Sequence, residues 1–264
     1  MRVKLISYTQ NALELLLGTK SARMRGQDPA TMTDEEKRDH WAYMLDTIKS
    51  PFEFVDYIFE LEGVSKNFTH QLVRTRHGAY QQETGRALDA TGQEIVMPDA
   101  FKDNEVLMNL FHDAVADADA HYQQILAAGG NLQDARSIVP SNMATKIQAK
   151  FNLRTLSEMS KNRLCARTAG EYQDAFRLIR ELVLEQHPWA DSLLQVACVA
   201  TGQCAFPRWG GKVVDEGPPV FGRYQCPFFR SWMDLSKERE ELRKVFWSSA
   251  KAEANPVAHN GKSM

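Results

Sequence analysis

Alternating apolar and polar residues predict β-strands at three places in the chain. Residues 2–8 alternate with Val3 and Leu5 on one side, and residues 55–61 and 145–151 repeat the pattern. A period of two residues places successive side chains on opposite faces of a sheet. The sequence therefore predicts three strands that each bury one face.

Between these strands, apolar residues recur every three or four positions, which predicts helices. The longest predicted helix covers about residues 103–127, and its apolar stripe consists of Leu107, Leu110, Phe111, Ala114, Val115, Ala118, Tyr122 and Ile125. Further helices are predicted over about residues 11–17, from a Thr33 cap to before Ser50, over 66–73, after an Asn152 cap, and over 168–187. Strands and helices mix without a tight strand–helix–strand repeat, so we predict an α+β fold with a central mixed or antiparallel sheet flanked by helices.

The composition changes near residue 200. Glycine and proline are dense over residues 201–223, where little regular structure is expected. A short charged helix near 234–247 and a disordered tail from Lys251 are predicted to follow. We therefore predict one domain over residues 1–200 and an irregular extension over 201–264.

Charge and composition narrow the function classes. The chain has 264 residues, and 32 basic residues nearly balance 34 acidic ones, which argues against a nucleic-acid-coating protein. We find no apolar stretch of membrane-spanning length and no signal-peptide pattern at the N-terminus. Four cysteines are too few for a disulfide framework, so we expect the protein in the cytoplasm, or in a host cell's cytoplasm if the chain is viral.

The cysteines raise one metal hypothesis. Cys198, Cys204 and Cys226, with His187 nearby, are potential zinc ligands. Their spacing matches no tight Cys-x2-Cys pair, so buried thiols are the preferred interpretation and no metal site is expected.

Arginines cluster in three places. Arg74 and Arg76 precede a polar loop that ends in Thr84-Gly85-Arg86, and Arg136 precedes Pro140. A third group contains Asn152, Arg154, Arg163 and Arg167. A hydroxyl, backbone N–H groups and a guanidinium in succession suit a phosphate. A solvated charged face remains the alternative, and balanced charge makes nucleic acid the weaker one.

Four blocks in order together resemble the flavin-dependent thymidylate synthases. The first is Arg74-Thr75-Arg76, seven residues, then Thr84-Gly85-Arg86. The others are Ser50-Pro51-Phe52-Glu53, the segment Arg136 with Val139-Pro140-x-Asn142-x-x-Thr145, and Asn152-x-Arg154 followed by Arg163 and Glu171. The resemblance spans about residues 1–195.

This resemblance implies a homotetramer with FAD where subunits meet. NADPH would reduce the flavin, methylenetetrahydrofolate would supply one carbon, and C5 of dUMP would receive it. By motif position, the implied cofactor-binding residues are Ser50, Arg74, Thr75, Arg76, Asn152, Arg154 and Arg167. The implied dUMP-binding residues are Gln71, Gln82, Thr84, Gly85, Arg86, Arg136 and Arg163, with Arg163 and Arg86 also catalytic.

Several positions depart from the family pattern. Thr75 stands where the signature has histidine, Thr84 where it has serine, and Gln82 where it has glutamate. These changes leave open a homologue that acts on dCMP or installs a hydroxymethyl group. A flavin- or nucleotide-binding protein without synthase activity, an RNA-binding module, and an interaction protein that recruits partners through its cysteine-bearing extension also remain open.

Overall fold

A computed structural model of the chain describes residues 1–85, 88–165, 167–168 and 170–202. Within this part of the chain, the strands are Arg2–Tyr8 (β1), Asp56–Ser65 (β2), Ala79–Gln82 (β3) and Ala144–Asn152 (β4). They form one four-stranded antiparallel sheet in the order β1–β2–β4–β3. The α+β prediction is confirmed, and the sheet is antiparallel.

The two faces of the sheet differ as the alternation predicts. Tyr57, Phe59 and Leu61 of β2 are fully buried beside Ile147 and Phe151 of β4. The opposite face carries cross-strand ion pairs, which are Arg2–Glu62, Lys4–Glu60, Lys146–Glu60 and Lys150–Asp56. One face therefore packs on the core while the other faces water.

Two bulges keep the apolar residues on the inner face. The β1–β2 register shifts between Leu5 and Ser7, so Tyr8 continues the inward side. The β2–β4 register shifts between Glu62 and Val64, where Gly63 has a φ of 67°. A positive φ suits glycine because it has no Cβ.

The helices within the described residues are Ala12–Met24 (α1), Asp34–Asp46 (α2), Lys66–Leu72 (α3), Asp99–Lys102 (α4), Glu105–Ala127 (α5), Leu132–Ala135 (α6), Leu153–Arg163 (α7), Gly170–Gln186 (α8) and Ala197–Thr201 (α9). Short 3-10 turns cover Pro29–Thr31, Ser50–Phe54, Arg136–Ile138 and Pro188–Ser192. Two predicted caps are confirmed: Thr33 and Glu36 form a reciprocal capping box, and Asn152 accepts the Thr155 N–H.

The main core lies between the inner face of the sheet and the helices that cover it. Phe68 of α3, Leu156 of α7 and Phe176 of α8 are buried there with the inward strand residues. Burying this apolar surface is the main favourable term in folding. Helices α3, α7 and α8 are thereby fixed against the sheet.

Helix α5 is the exception to this packing. It forms over 23 residues near the predicted bounds, yet Tyr122 is its one buried residue. Most of the predicted stripe is accessible, with Leu110 61% exposed and the neighbouring Val106 67% exposed. An apolar stripe normally marks a packed face, so this surface lacks a cover within the described chain.

Strand β3 was not predicted. Residues Ala79–Gln82 lie in the stretch that the sequence suggests is a polar loop, yet they pair with β4 from Lys150 to Ile147.

The predicted extension, including Cys204, Cys226 and the helix near 234–247, lies almost wholly outside the described residues, so that domain division stays a prediction. No helix of the described chain has both the length and the hydropathy needed to cross a bilayer.

Candidate functional site

The implied site residues fall at two ends of the sheet. At one end, Asn152 pairs with Asp56 and Ala79 pairs with Lys150, so the loop before β3 lies there. At the other end, Gln82 pairs with Ile147 and the Glu83 N–H donates to the Lys146 carbonyl at 2.9 Å. The implied cofactor positions in blocks 50–54, 74–76 and 152–154 adjoin the first end. The Thr84-Gly85 segment adjoins the second.

The loop over residues 73–78 is folded tightly against β3. The Tyr80 hydroxyl contacts the carbonyl oxygens of Leu72 and Thr75 at 3.0 and 2.7 Å. A Cβ on Gly78 would lie 2.4 Å from the Tyr80 hydroxyl and 2.7 Å from the Phe151 ring, so only glycine fits. This packing holds the backbone of the Arg-Thr-Arg signature.

The two arginines of the signature point into solvent. Arg74 and Arg76 are both exposed, and neither forms an ion pair with any residue that the structure describes. Two exposed guanidiniums on a fixed loop are suited to an anionic ligand, because each offers planar paired donors.

At the opposite end of the sheet, Gly85 and Arg136 lie next to each other. A Cβ on Gly85 would lie 3.3 Å from the Arg136 guanidinium. That guanidinium is held by the Leu88 carbonyl at 2.5 Å and lies 4.0 Å from the Met143 sulfur. The lack of a side chain on Gly85 therefore lets its backbone approach the cation closely.

Lys66 joins this corner and was missed by the sequence analysis. The backbone N–H of Lys66 donates to the Met143 carbonyl at 3.0 Å. Because the Met143 side chain contacts Arg136, this places the first residue of α3 beside Arg136. Burial lowers the pKa of Lys66, the nearby Arg136 lowers it further, and Glu83 opposes this. Neither Lys66 nor Arg136 is in an ion pair with a described residue. Adjacent like charges of this kind are relieved by a bound anion.

Gln82 is the last residue of β3, at the second end of the sheet, and a short hydrogen-bond chain sets its orientation. Its amide nitrogen donates to the Thr69 hydroxyl oxygen at 3.1 Å. That hydroxyl in turn donates to the Lys66 carbonyl at 3.0 Å. Because the hydroxyl proton is committed, its oxygen accepts from the amide, and the Gln82 carbonyl oxygen faces away from Thr69.

Arg163 ends α7 and stacks on an aromatic ring. Its guanidinium carbon lies 4.1 Å from the centroid of the Tyr172 ring. The same ring packs edge-to-face on Phe68 at 4.9 Å, and its hydroxyl lies near the Thr75 side chain. Burial raises the pKa of Tyr172, and Arg163 opposes that rise. Arg163 and Thr75, which are far apart in sequence, thus meet around one phenol.

The remaining implied cofactor residues include two with structural partners. Asn152 accepts the Thr155 N–H at 2.8 Å as the cap of α7. Arg154 donates to Glu53 at 2.5 Å, which joins two of the four sequence blocks. Ser50 is exposed at the start of its 3-10 turn, and Arg167 is buried.

Three further implied nucleotide residues differ in how much the structure says of them. Gln71 is half-buried near the end of α3, and Thr84 is exposed just after β3. Arg86 lies outside the described residues. The structure therefore brings Gly85 and Arg136 together, brings Thr75 and Arg163 together, and leaves Arg86 as a prediction.

Tyr172 and Lys66 are the residues that sequence reasoning passed over. Tyr172 directly follows Glu171, which belongs to the resembling block, and Lys66 opens the helix that leads into the signature. Proximity to those blocks was the available signal, but the contacts depend on tertiary packing. Among the described residues, no group of three histidine, cysteine or acidic side chains is arranged to hold a metal ion.

The single antiparallel sheet with helices on its inner face defines an α+β protein. Cationic side chains lie at both ends of that sheet. A family profile described as "Thymidylate synthase complementing protein" matches residues 4–189. The chain therefore belongs to the thymidylate synthase complementing protein family.

Individual relatives agree with this membership. The chain is 28% identical over 221 residues to a flavin-dependent thymidylate synthase of Nitratidesulfovibrio vulgaris, with 77% of this chain and 90% of that protein covered. It is 32% identical over 199 residues to a flavin-dependent thymidylate synthase of Sulfurisphaera tokodaii, with 71% and 75% covered. A crystal structure of the UMP/dUMP methylase PolB from Streptomyces cacaoi, bound with 5-Br dUMP, shares the fold at a TM-score of 0.60 and 17% identity. That match covers 74% of this chain and 97% of PolB.

Proposed function

We propose that the protein is a flavin-dependent thymidylate synthase that methylates dUMP at C5. Methylenetetrahydrofolate would be the carbon donor, and NADPH would be the reductant through FAD. Family membership and the names of the relatives support this proposal. The observation that carries it is the contact of Gly85 with the Arg136 guanidinium beside Lys66.

The Gly85–Arg136 corner suits the phosphate of a nucleotide. Arg136 is held by the Leu88 carbonyl, so its guanidinium is fixed before a ligand arrives. Lys66 adds a second positive charge, and Gly85 admits close approach of a phosphate oxygen. We propose that the dUMP site comprises Gln71, Gln82, Thr84, Gly85, Arg86, Arg136 and Arg163.

The pyrimidine would lie toward Arg163. A guanidinium at that position donates hydrogen bonds to a base carbonyl and stabilises the charge that develops as electrons move toward C5. Arg86 has the matching catalytic role at the phosphate side in this proposal. Gln82, with its amide nitrogen bound to Thr69, presents its carbonyl oxygen as an acceptor.

The residues at the other sheet end fit a flavin dinucleotide. Its pyrophosphate needs cationic donors, and Arg74 and Arg76 are exposed on a fixed loop. We propose that the FAD site comprises Ser50, Arg74, Thr75, Arg76, Asn152, Arg154 and Arg167. When bound, the flavin supplies the redox chemistry, while the protein binds and orients the reactants.

Self-association belongs to the same proposal. The exposed apolar side of α5 matches what a subunit interface would cover, since Val106 and Leu110 lie one turn apart and are both more than half exposed. We propose that a second copy of this chain covers it within a homotetramer.

Anaerobic incubation with dUMP, methylenetetrahydrofolate, NADPH and FAD, followed by mass analysis, tests the reaction. A gain of a methyl group supports it, whereas a hydroxymethyl product would replace it with the alternative reaction. Unchanged dUMP together with conversion of dCMP would show that the substrate is dCMP and not dUMP. No turnover of either, with flavin retained, would indicate a binding protein.

A matched pair of variants tests the assigned residues. Arg163→Ala is expected to abolish turnover, whereas Arg38→Ala on the exposed surface of α2 should leave it unchanged. Arg74→Ala should reduce the flavin that co-purifies with the protein. Normal flavin content in that variant would remove Arg74 from the cofactor site.

A further inference from the structure

Tyr172 has a polar atom that the fold itself does not use. The residue is 1% exposed and belongs to the first turn of α8. Its hydroxyl lies near Thr75 and Arg163, yet forms no hydrogen bond of ordinary geometry with any described residue. Buried polar groups in native proteins are nearly always paired, so an orphaned hydroxyl calls for an explanation.

The ring of Tyr172 is firmly held. Phe68 meets it edge-to-face at 4.9 Å, and the Arg163 guanidinium lies over its face at 4.1 Å. A cation above an aromatic face is attracted to the ring, and stacking limits the conformers of a long side chain. The ring therefore restricts where the Arg163 guanidinium can lie.

The hydroxyl is suited to donate a hydrogen bond. Burial raises the pKa of Tyr172, so the group keeps its proton throughout the physiological range. Arg163 has only donors and cannot accept that proton. An acceptor atom that a ligand brings next to Thr75 and Arg163 would satisfy the hydroxyl, once the side chains that seal it from solvent move aside.

We propose that Tyr172 is a further residue of the nucleotide site, whose ring positions Arg163 and whose hydroxyl donates to an oxygen of the bound pyrimidine. This inference rests on the proposed function, because it takes the ligand to be dUMP. It assigns to Tyr172 a role that neither Thr75 nor Arg163 supplies alone. The protein retains an unsatisfied hydroxyl when empty and satisfies it when the base binds.

The test measures binding of two ligands to the full chain by calorimetry. One ligand is dUMP, and the other is 2-deoxyribose 5-phosphate, which lacks the base. Tyr172→Phe should weaken dUMP binding about three- to tenfold, the range of one net hydrogen bond. The same variant should not change the binding of 2-deoxyribose 5-phosphate, and should raise the Tm of the unliganded protein.

Removal of the ring tests the positioning role. Tyr172→Leu should weaken dUMP binding by more than Tyr172→Phe does, and the two substitutions should have equal effects when Arg163 is already alanine, because only the loss of the hydroxyl then counts. Tyr43→Phe and Tyr43→Leu are matched controls, because Lys20 lies 4.9 Å above the ring of that exposed tyrosine. Neither control should alter binding.

Other outcomes would overturn the inference. Equal dUMP affinity in Tyr172→Phe and the unchanged protein would exclude the hydroxyl donor. Equal loss for both ligands in Tyr172→Leu would reduce the ring to a structural role. Absence of dUMP binding by the unchanged protein would instead contradict the proposed function, on which the inference depends.

Discussion

Both carboxylate oxygens of Glu171 bind Ser65, one through the Ser65 N–H and the other through its hydroxyl, each at 2.6 Å. The Ser65 hydroxyl oxygen also accepts the Phe68 N–H at 2.9 Å as the cap of α3. Glu171 therefore fixes the start of the helix that leads to Gln71 and the arginine loop. Glu171, which belongs to the fourth sequence block, thus supports the candidate site indirectly, through Ser65 and α3.

Glu171→Ala is expected to destabilise the protein by about 2–3 kcal/mol. The change leaves the buried Ser65 N–H without its charged acceptor, and a lost charge-assisted hydrogen bond costs about that much. Urea unfolding followed by circular dichroism measures the effect. Glu158→Ala, which removes an exposed partner of Lys161, should change stability by no more than about 0.5 kcal/mol. Equal effects of the two variants would contradict the anchoring role.

Lys66→Met is expected to weaken dUMP binding about tenfold while binding of deoxyuridine stays the same. The phosphate would lose its ammonium partner, and only the nucleotide has a phosphate. Equilibrium titration with both ligands separates the two effects. Lys150→Met is the control, since that lysine pairs with Asp56 at 2.7 Å on the solvent face of the sheet. A similar loss for both ligands would show that Lys66 does not bind the phosphate at the Gly85–Arg136 corner.

Leu110→Glu is expected to lower the oligomeric state. It places a charge in the middle of the exposed apolar side of α5, where burial against a second copy would desolvate it. Analytical ultracentrifugation should show a shift toward the 30.0 kDa single chain. Asn109→Glu, at the neighbouring exposed position, provides the comparison. An unchanged mass of the assembly for Leu110→Glu would show that the subunit interface lies elsewhere on the protein.

Stability is expected to fall with acid through His187. This side chain is buried and shares a 2.7 Å hydrogen bond with the Tyr57 hydroxyl, and burial lowers its pKa. The folded protein therefore keeps His187 neutral, while the unfolded chain binds a proton below about pH 6.5. The stabilisation is complete above that pH and is lost as the pH falls, by at most about 1.4 kcal/mol per unit.

Unfolding free energies at pH 7.5 and 5.5 measure this loss. His187→Gln should show a smaller difference between the two values than the unchanged protein. His112→Gln, at an exposed position of α5, should show the full difference. Parallel behaviour of all three proteins would exclude His187 as the acid-sensitive group.

Much of the fold could be predicted because the information is local. The inward residues alternate along β4 and along β2 as far as Leu61, and the Thr33 and Asn152 caps depend on side chains a few positions away. Strand β3 could not be predicted, because Ala79–Gln82 has no apolar alternation and is a strand only through its pairing with β4. Helix α5 shows the related limit that periodicity gives an apolar face without saying what covers it.

In the candidate site, too, some residues could be predicted from the sequence and others could not. Gly85 and Arg136, which the resemblance implies both bind dUMP, lie next to each other in the structure. Lys66 and Tyr172 could not be found from spacing, because their contacts with Arg136 and Arg163 arise when separate helices pack on one sheet. Residues that support or extend a site through packing need the structure.

The short strand β3 also sets a fixed length between the two ends of the site. The seven residues between Arg76 and Thr84 comprise the turn of His77 and Gly78, the four paired residues of β3, and Glu83. Deleting one of them would move the Thr84-Gly85 segment by about 3.3 Å and turn every following side chain to the opposite face. The number of residues in this interval therefore fixes both the distance between the two ends of the site and the face on which the residues after β3 lie.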